Sequence, residues 1–574
     1  MNREGEKPMS HFWLVGVLVL SLGMMQCGPK KESEVSTSPK ESPAEGGKGM
    51  VSTAHPLATE AGVEVLKKGG NAFDAAVAVA STLNVVEPYN SGVGGYGTIV
   101  LYHASTQKSW FLDSSGKIPQ AVDSDVFRPP TPGYKENRRG AKAVSTPGNV
   151  NAWESLHQKY GNLEWTELFQ KAIHLAQEGF VTREMTARAI ARTYSTFSSY
   201  SQDIYGKNGT PLKKGQKLIQ KDLGKSLSLI AQNGAGVVYG GEIGQAMHMA
   251  MEKKKGFLTL DDLKKDRAEW WEPISISYRG YKVLTASPPS TAFPSLIRLG
   301  LMSQWNLQDL GHNSVDYLHR FAEVTKHAYG CRLKYAGDPE IDPPPLDKLL
   351  SESYWREQVK KIDPQKAHPF EPPRLKTRQG KNTTHFVVAD QWGNIVSATQ
   401  TLGNTFGSRI MPEGTGIWLN NSLAYCTFEP EGNPMDAHPG QRKLSGDCPT
   451  LIMHENKPWM ALGTPGGHTI GQTVPQMVMN IIDFGMNIQE AISAPRVSFV
   501  EPDKLAVEKG IPQPVREKLG SMGHNVQVVR SLGNAHGLSL EYDFKGNPKR
   551  FFGGSDPRGQ GKAEGVEKPS EEDS

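Results

Sequence analysis

Hydrophobic and polar positions along this chain follow two periods. Residues 384–389 and 395–401 are short β-branched and apolar runs on either side of Asp390-Gln391-Trp392-Gly393-Asn394, which predicts a β-hairpin. Residues 274–286 predict a second strand pair turning at Arg279-Gly280, and 98–102, 451–454 and 459–462 read as further strands. Elsewhere apolar residues recur at helical spacing. Residues 56–66 form one such segment, ending at Gly69-Gly70, and Asn71 is placed to cap a second over 72–83. That second segment is almost wholly small or apolar, so it is expected to be buried. Helical patterns also cover 153–176 with a break at Gly161-Asn162, two stretches within 222–256, a start at 258–263, and 315–335. A last one runs from about 468 to 484 with a kink at Pro475. The glycines of Asn90-Ser91-Gly92-Val93-Gly94-Gly95-Tyr96-Gly97 lead into a strand. A phosphate loop leads into a helix, so close backbone packing is the better account of them.

The ends of the chain break this pattern. Residues 12–25 are a mostly apolar run preceded by Arg3 and Lys7, and its 14 residues fall short of the ~20 that span a bilayer. The run ends at Met24-Met25-Gln26-Cys27, which resembles a bacterial lipoprotein cleavage site with Cys27 as the lipidated residue. Gln26 departs from the small residue usual there, and plain secretion or an uncleaved anchor stay open. Residues 1–27 are thus expected to be an export signal, and 28–48, rich in Lys, Glu, Ser and Pro, a disordered tether. Residues 362–379 are expected to be an exposed loop and 566–574 a charged tail. Location is expected to be periplasmic, or membrane-anchored through the lipid alone. The 574 residues carry a net charge of +4 with acids and bases interspersed, which gives no basic stripe for nucleic acid. Beyond Cys27 only Cys331, Cys426 and Cys448 remain. They make no disulfide framework, although a Cys426–Cys448 bridge stays open. His327 and Cys331 share a helix face, but no third ligand accompanies them, so that face is expected to be packed. Neither metal nor cofactor is expected.

Candidate chemistry centres on Asn382-Thr383-Thr384-His385. If the chain cuts itself between Asn382 and Thr383, Thr383 gains a free α-amine beside its hydroxyl. A hydroxyl needs a base to become a nucleophile, and an α-amine with a pKa of about 7.7–8.0 is a base near neutrality, unlike a lysine at about 10.4. A second candidate is Gly463-Thr464-Pro465-Gly466-Gly467. It lies between a strand and a helix N-terminus, where backbone N–H groups can converge on a developing oxyanion, although a plain tight turn fits equally well.

Motifs in order along the chain resemble the γ-glutamyltranspeptidase family of N-terminal-nucleophile hydrolases. They are Gly49-Met50-Val51, His55-Pro56-Leu57-Ala58, Gly69-Gly70-Asn71-Ala72, Asp74-Ala75-Ala76, Glu87-Pro88, Ser91-Gly92, Gly94-Gly95, Thr146-Pro147-Gly148 and Tyr278-Arg279-Gly280-Tyr281. Thr383-Thr384-His385, Gly463-Thr464-Pro465-Gly466-Gly467 and Asp556-Pro557-Arg558 complete the set. The resemblance implies an α+β fold, a four-layer αββα sandwich. It implies a precursor cut into a large subunit (49–382) and a small one (383–565) that stay associated. It makes Thr383 the nucleophile in self-cleavage and in a ping-pong acyl transfer, Thr401 the hydroxyl bonded to it, and Gly466 and Gly467 the oxyanion hole.

At the substrate positions the chain departs from the family. Ser115 stands where an arginine usually holds the substrate carboxylate, and Ser422 and Tyr425 stand where Gln and Asp usually hold the α-amine. Ser445-Gly446 keeps half of a serine pair. Gly403 replaces an Asn, with Asn404 adjacent, and Lys117 is one conceivable stand-in for the arginine. Losing a bidentate arginine is costly to carboxylate binding. Three functions follow: a γ-glutamyltransferase or glutathione hydrolase, an acylase of the glutaryl or cephalosporin type on the same machinery, or an inactive binding lipoprotein. The expected partner is a small γ-glutamyl or related acyl amide, with no nucleic acid.

Overall fold

A computed structural model describes residues 41–370, 382–500 and 503–567, and these lie within one compact unit. The expected signal peptide, Cys27 and the charged tail beyond 567 fall outside the described residues, as do 371–381 of the expected loop. Among the described residues no helix is long and apolar enough to cross a membrane.

Fourteen strands build two seven-stranded sheets. In chain order they are β1 (Ala44–Gly46), β2 (Gly49–Thr53), β3 (Tyr96–His103), β4 (Lys108–Ser114), β5 (Glu269–Trp271), β6 (Ile274–Tyr278) and β7 (Tyr281–Thr285). They continue with β8 (Asn382–Asp390), β9 (Ile395–Gly403), β10 (Thr450–His454), β11 (Lys457–Gly463), β12 (His536–Tyr542), β13 (Pro548–Ser555) and β14 (Lys562–Gly565). The first sheet runs β14-β2-β8-β9-β3-β4-β5 and the second β1-β13-β12-β11-β10-β7-β6. Every pairing within them is antiparallel. The tether expected through residue 48 ends earlier, because residues 44–46 pair with β13 as an edge strand.

Side chains alternate across β8 and β9 and feed two cores. Phe386, Val388, Val396 and Ala398 pack toward α1 (Pro56–Lys67) and α2 (Ala72–Val86). Val387, Ala389 and Ile395 point the other way, into the core between the sheets. That core extends to α3 (Phe293–Met302), α4 (Val315–Tyr335) and α5 (Ile470–Ile482). Because both faces are covered, the strands read as nearly unbroken apolar runs. The result is a four-layer αββα sandwich. Each fully buried Val or Phe contributes about 1.5–3 kcal/mol relative to exposure, which fixes the hairpin's register.

Local chemistry explains the element ends. Asn71 accepts the N–H groups of Phe73 and Asp74, and Asp74 returns a bond to the Asn71 N–H. Asp390 accepts the N–H groups of Trp392 and Asn394 across the β8–β9 turn and that of Ala72 at the start of α2. One carboxylate thus pins the hairpin to the helix beneath it. Gly94 lies so close to the carbonyl of Trp418 that a Cβ there would stand 2.2 Å from that oxygen, which accounts for the glycine-rich approach to β3. Cys426 and Cys448 are free thiols in separate apolar clusters, so the bridge left open by the sequence is not formed.

Candidate functional site

The β8–β9 hairpin folds residue 383 back beside residue 401. A register shift between Asn382 and Thr384 frees Thr383 from regular pairing at the mouth of the hairpin. The Thr383 hydroxyl donates to Thr401 Oγ1 at 3.3 Å, and the Thr401 hydroxyl donates to the Asn382 carbonyl at 2.7 Å. The Gly403 N–H donates to Thr401 Oγ1 at 2.8 Å and fixes that oxygen in place. Asn382 is held in turn by Asn90, its side-chain amide donating to Asn90 Oδ1 at 3.2 Å. One hydroxyl therefore touches both the carbonyl that self-cleavage would attack and the hydroxyl that would attack it.

Thr384 faces the opposite way. It donates to Glu87 Oε2 at 2.9 Å, while the Tyr89 hydroxyl donates to Oε1. Burial pushes the Glu87 carboxyl above its ordinary range. His385 lies behind the site, with Nδ1 2.9 Å from Thr399 Oγ1, and burial keeps its ring neutral.

The β11-to-α5 connection supplies the facing wall. Gly466 (φ 140°) and Gly467 (φ 61°) lie in the left-handed half of backbone space, and Thr469 closes the turn by donating to the Gly466 carbonyl at 2.9 Å. A Cβ on Gly466 would stand 2.3 Å from Thr469 Oγ1. Gly467 lines a cavity of about 50 Å³ together with Thr383, Thr401, Gly403, Tyr425, Ser445 and Gly446. The sequence reading missed Tyr96, Leu444, Asp447, Ile470 and Arg332 on the same wall. Tyr96 could have been found, because it pairs directly with Thr401 across β3 and β9.

Three expected binding residues do not line this cavity. The Ser115 hydroxyl donates to Asp113 Oδ2 at 2.9 Å, and Ser422 Oγ bonds Ser145 Oγ in a buried pair. Asn404 is held through its N–H by Asn421 Oδ1 at 2.8 Å. Lys117, the conceivable stand-in for the arginine, is half exposed and 3.8 Å from Glu269. Asp447 accepts from the Ser445 hydroxyl at 2.8 Å. Burial raises the Asp447 carboxyl and lowers the ammonium of nearby Lys443, whose Nζ lies 3.4 Å from the centre of the Tyr96 ring.

His327 and Cys331 form a small polar group with the Tyr354 hydroxyl, 2.8 Å from His327 Nε2 and 3.4 Å from Cys331 Sγ. Among the described residues His319, Glu323 and His524 have metal-type ligand atoms within 4.8 Å of one another. Those atoms already have partners: His319 Nδ1 is 2.8 Å from His524 Nε2, and Glu323 holds Lys326 at 2.7 Å and His368 at 3.0 Å.

The Gamma-glutamyltranspeptidase family model matches residues 58–566. The chain is 34% identical over 539 residues to the glutathione hydrolase proenzyme of Escherichia coli (strain K12), covering 90% of this chain and 91% of that one. It is 33% identical over 517 residues to the acylase ACY 1 proenzyme of Pseudomonas sp. (strain SE83), covering 87% and 90%. Among solved structures, the cephalosporin acylase of Bacillus halodurans superposes with a TM-score of 0.83 at 28% identity, covering 94% of this chain and 99% of that one.

Proposed function

Since the chain belongs to the gamma-glutamyltranspeptidase family, we propose that Thr383 is the nucleophile both of its self-processing and of its turnover of γ-glutamyl or related acyl amides. The enzyme is of the γ-glutamyltransferase/acylase kind and is made as a precursor, as its relatives' names state of them. The observation that carries the residue assignment is the Thr401 hydroxyl, bonded at once to the Asn382 carbonyl and to Thr383 Oγ1.

In self-processing, Thr383 Oγ1 adds to the Asn382 carbonyl carbon while Thr401 donates to the carbonyl oxygen. The Asn382–Thr383 C–N bond breaks, the nitrogen takes the proton, and the acyl group passes to Oγ1 as an ester. Water hydrolyses that ester, leaving Asn382 as a carboxylate terminus and Thr383 with its α-amine. In turnover the neutral α-amine takes the Thr383 hydroxyl proton, and Oγ1 attacks the substrate amide. In this reading the N–H groups of the Gly466-Gly467 turn, of which Gly467 lines the cavity, receive the developing oxyanion. The amine leaves with a proton, and water or an amino acid then attacks the Thr383 ester.

Electrophoresis and N-terminal sequencing test this. The wild type should run as two chains, one beginning at Thr383, and Thr383→Ala should run as one chain without turnover. A wild type that stays uncut yet hydrolyses amides would sink the proposal. Ser422, at a position that usually holds the α-amine, is closed into an internal hydrogen bond away from the cavity and favours the second reading, an acylase for an acyl group without the α-amine. Turnover of γ-glutamyl-anilide against glutaryl-anilide separates the two. The apolar run before Cys27 supports export of the enzyme with a lipid on that cysteine, which mass spectrometry of the mature N-terminus checks.

A further inference from the structure

Buried arginines in this fold normally face carboxylates. Arg128 pairs with Asp436, Arg442 with Glu269 and Asp338, Arg496 with Asp556, and Arg558 with Glu508 and Asp556. Arg298 on α3 and Arg332 on α4 break the rule, because among the described residues neither has a carboxylate within ion-pair distance. Arg298 is 3% exposed, and its one hydrogen bond between described residues runs from Nη1 to the Gly471 carbonyl at 3.0 Å, leaving its buried Nε–H without a partner. The Nη1 of Arg332 is likewise buried and unpartnered.

Their surroundings do not neutralise them. The thiols near Arg298, Cys448 and Cys331, are raised by burial and so stay protonated. A second cation acts on it as well: Arg332 disfavours charge on Arg298. Asp447 shares the cavity with Arg332, but the cation acting on its carboxyl is Lys443. Two desolvated like charges without a counter-ion are expensive to keep, and an anion between them relieves the cost.

The position of the pair identifies that anion. Arg332 lines the cavity that holds Thr383. With Gly446 and Gly467 it also lines a second cavity of about 30 Å³, to which Arg298, Thr291 and Gly471 contribute as well. The path leads from the nucleophile, past the oxyanion turn, to the two guanidinium groups. We infer that Arg332, backed by Arg298, binds a carboxylate at the end of the acyl group remote from the scissile amide, and so makes the enzyme selective for monoamides of dicarboxylic acids. The site replaces, from the helical layer on the other side, the clamp that Ser115 does not supply. It accepts the α-carboxylate of a γ-glutamyl group or the terminal carboxylate of a glutaryl group. The inference rests on the proposed nucleophile, and its test separates the two.

The test compares three 4-nitroanilides on the mature wild type: glutaryl, γ-glutamyl, and the glutaryl methyl ester, which keeps the chain length but lacks the charge. At least one acid should exceed the ester in kcat/KM by about 100-fold, mostly through KM, and the better acid names the source of the carboxylate. Arg332→Met should bring that ratio to within about threefold of one, and Arg332→Lys should restore part of it. A mature enzyme that treats acid and ester alike overturns the inference, even if no variant folds. So does an Arg332→Met enzyme that keeps the wild-type ratio or loses both activities equally. A chain that neither cuts itself nor turns over any anilide refutes the nucleophile assignment instead.

Discussion

Two regions of this molecule each bury a pair of arginines, and they are opposites. Behind β13, Arg496 and Arg558 meet Asp556 and Glu508, with Arg496 Nη1 3.0 Å from Asp556 and Arg558 Nη2 2.6 Å from Glu508. These carboxylates are also capped: Asp556 accepts the Ala535 and Arg558 N–H groups, and Glu508 those of Arg496 and Leu532. Beside the nucleophile, Arg298 and Arg332 meet no carboxylate among the described residues. The closed network holds β13, the 494–496 segment and β12 together and leaves nothing for a ligand. The open pair adds cost to the folded state and leaves the Arg298 Nε and Arg332 Nη1 donors buried without partners. A buried arginine cluster met by carboxylates is a structural part, whereas one without them beside a nucleophile is placed to bind an anion.

The strongest way to break the comparison is to open the closed network. Asp556→Asn strips Arg496, which is 1% exposed, of its counter-charge and should lower unfolding free energy by about 3–5 kcal/mol in a urea titration. Burial alone would raise the Asp556 carboxyl, but Arg496 and Arg558 outweigh it and hold it below its ordinary value. A depressed folded pKa gives stability that is present above the unfolded value and lost as pH falls through the folded one. The wild type should therefore lose urea resistance steeply below about pH 4, and the variant should lack that part of the slope. A change under about 1 kcal/mol would remove the contrast between the two regions.

The converse substitution is smaller in stability and larger in specificity. Arg332→Met removes a half-buried charge that has no carboxylate partner among the described residues, so its urea midpoint should stay level or rise, within about 1 kcal/mol. A loss comparable to that of Asp556→Asn would show that Arg332 is a structural residue with an unrecognised partner.

The same contrast explains what the sequence disclosed. The hairpin was legible because its parts are local: the turn at 390–394 is written in Asp390, Gly393 and Asn394, and it brings Thr401 back to Thr383 without help from the rest of the fold. The Gly466-Gly467 turn is also local. Helix α2 was legible from its cap and composition and α4 from its periodicity, and the Arg279-Gly280 turn appears with positive φ at both residues. The binding wall was not legible, because a family position carries a role only while its residue remains there. At Ser115 and Ser422 the polar atoms have turned to internal partners. Arg332 comes one residue after Cys331 on a long helix, and a single arginine there reads like any solvated position. The signal that marks it, an absent carboxylate, is a property of packing between layers. Sequence also placed the ordered boundary too late, since Ala44–Gly46 is an edge strand whose three residues carry no apolar alternation to announce it.

The finest probe of the open pair uses Asp447, the one acidic residue among the described residues that lines the cavity with Arg332. Burial holds the Asp447 carboxyl above its ordinary value, against the pull of Ser445 and Lys443, so it takes up a proton in the folded enzyme as pH falls from neutrality toward 4. Its negative charge on the cavity wall then disappears while a bound acyl carboxylate, with a pKa of about 4.3, is still ionised. The cavity becomes more favourable to the acid substrate and is unchanged for its methyl ester. Between about pH 7.5 and 5.5 the acid-to-ester ratio of kcat/KM should rise by about threefold. The α-amine of Thr383 loses activity over the same range, but it acts on both substrates equally and cancels in the ratio. Asp447→Asn should give the raised ratio at every pH. A ratio that falls on acidification in the wild type, or a slope that survives in Asp447→Asn, would mean that the anion does not sit across the cavity from Asp447.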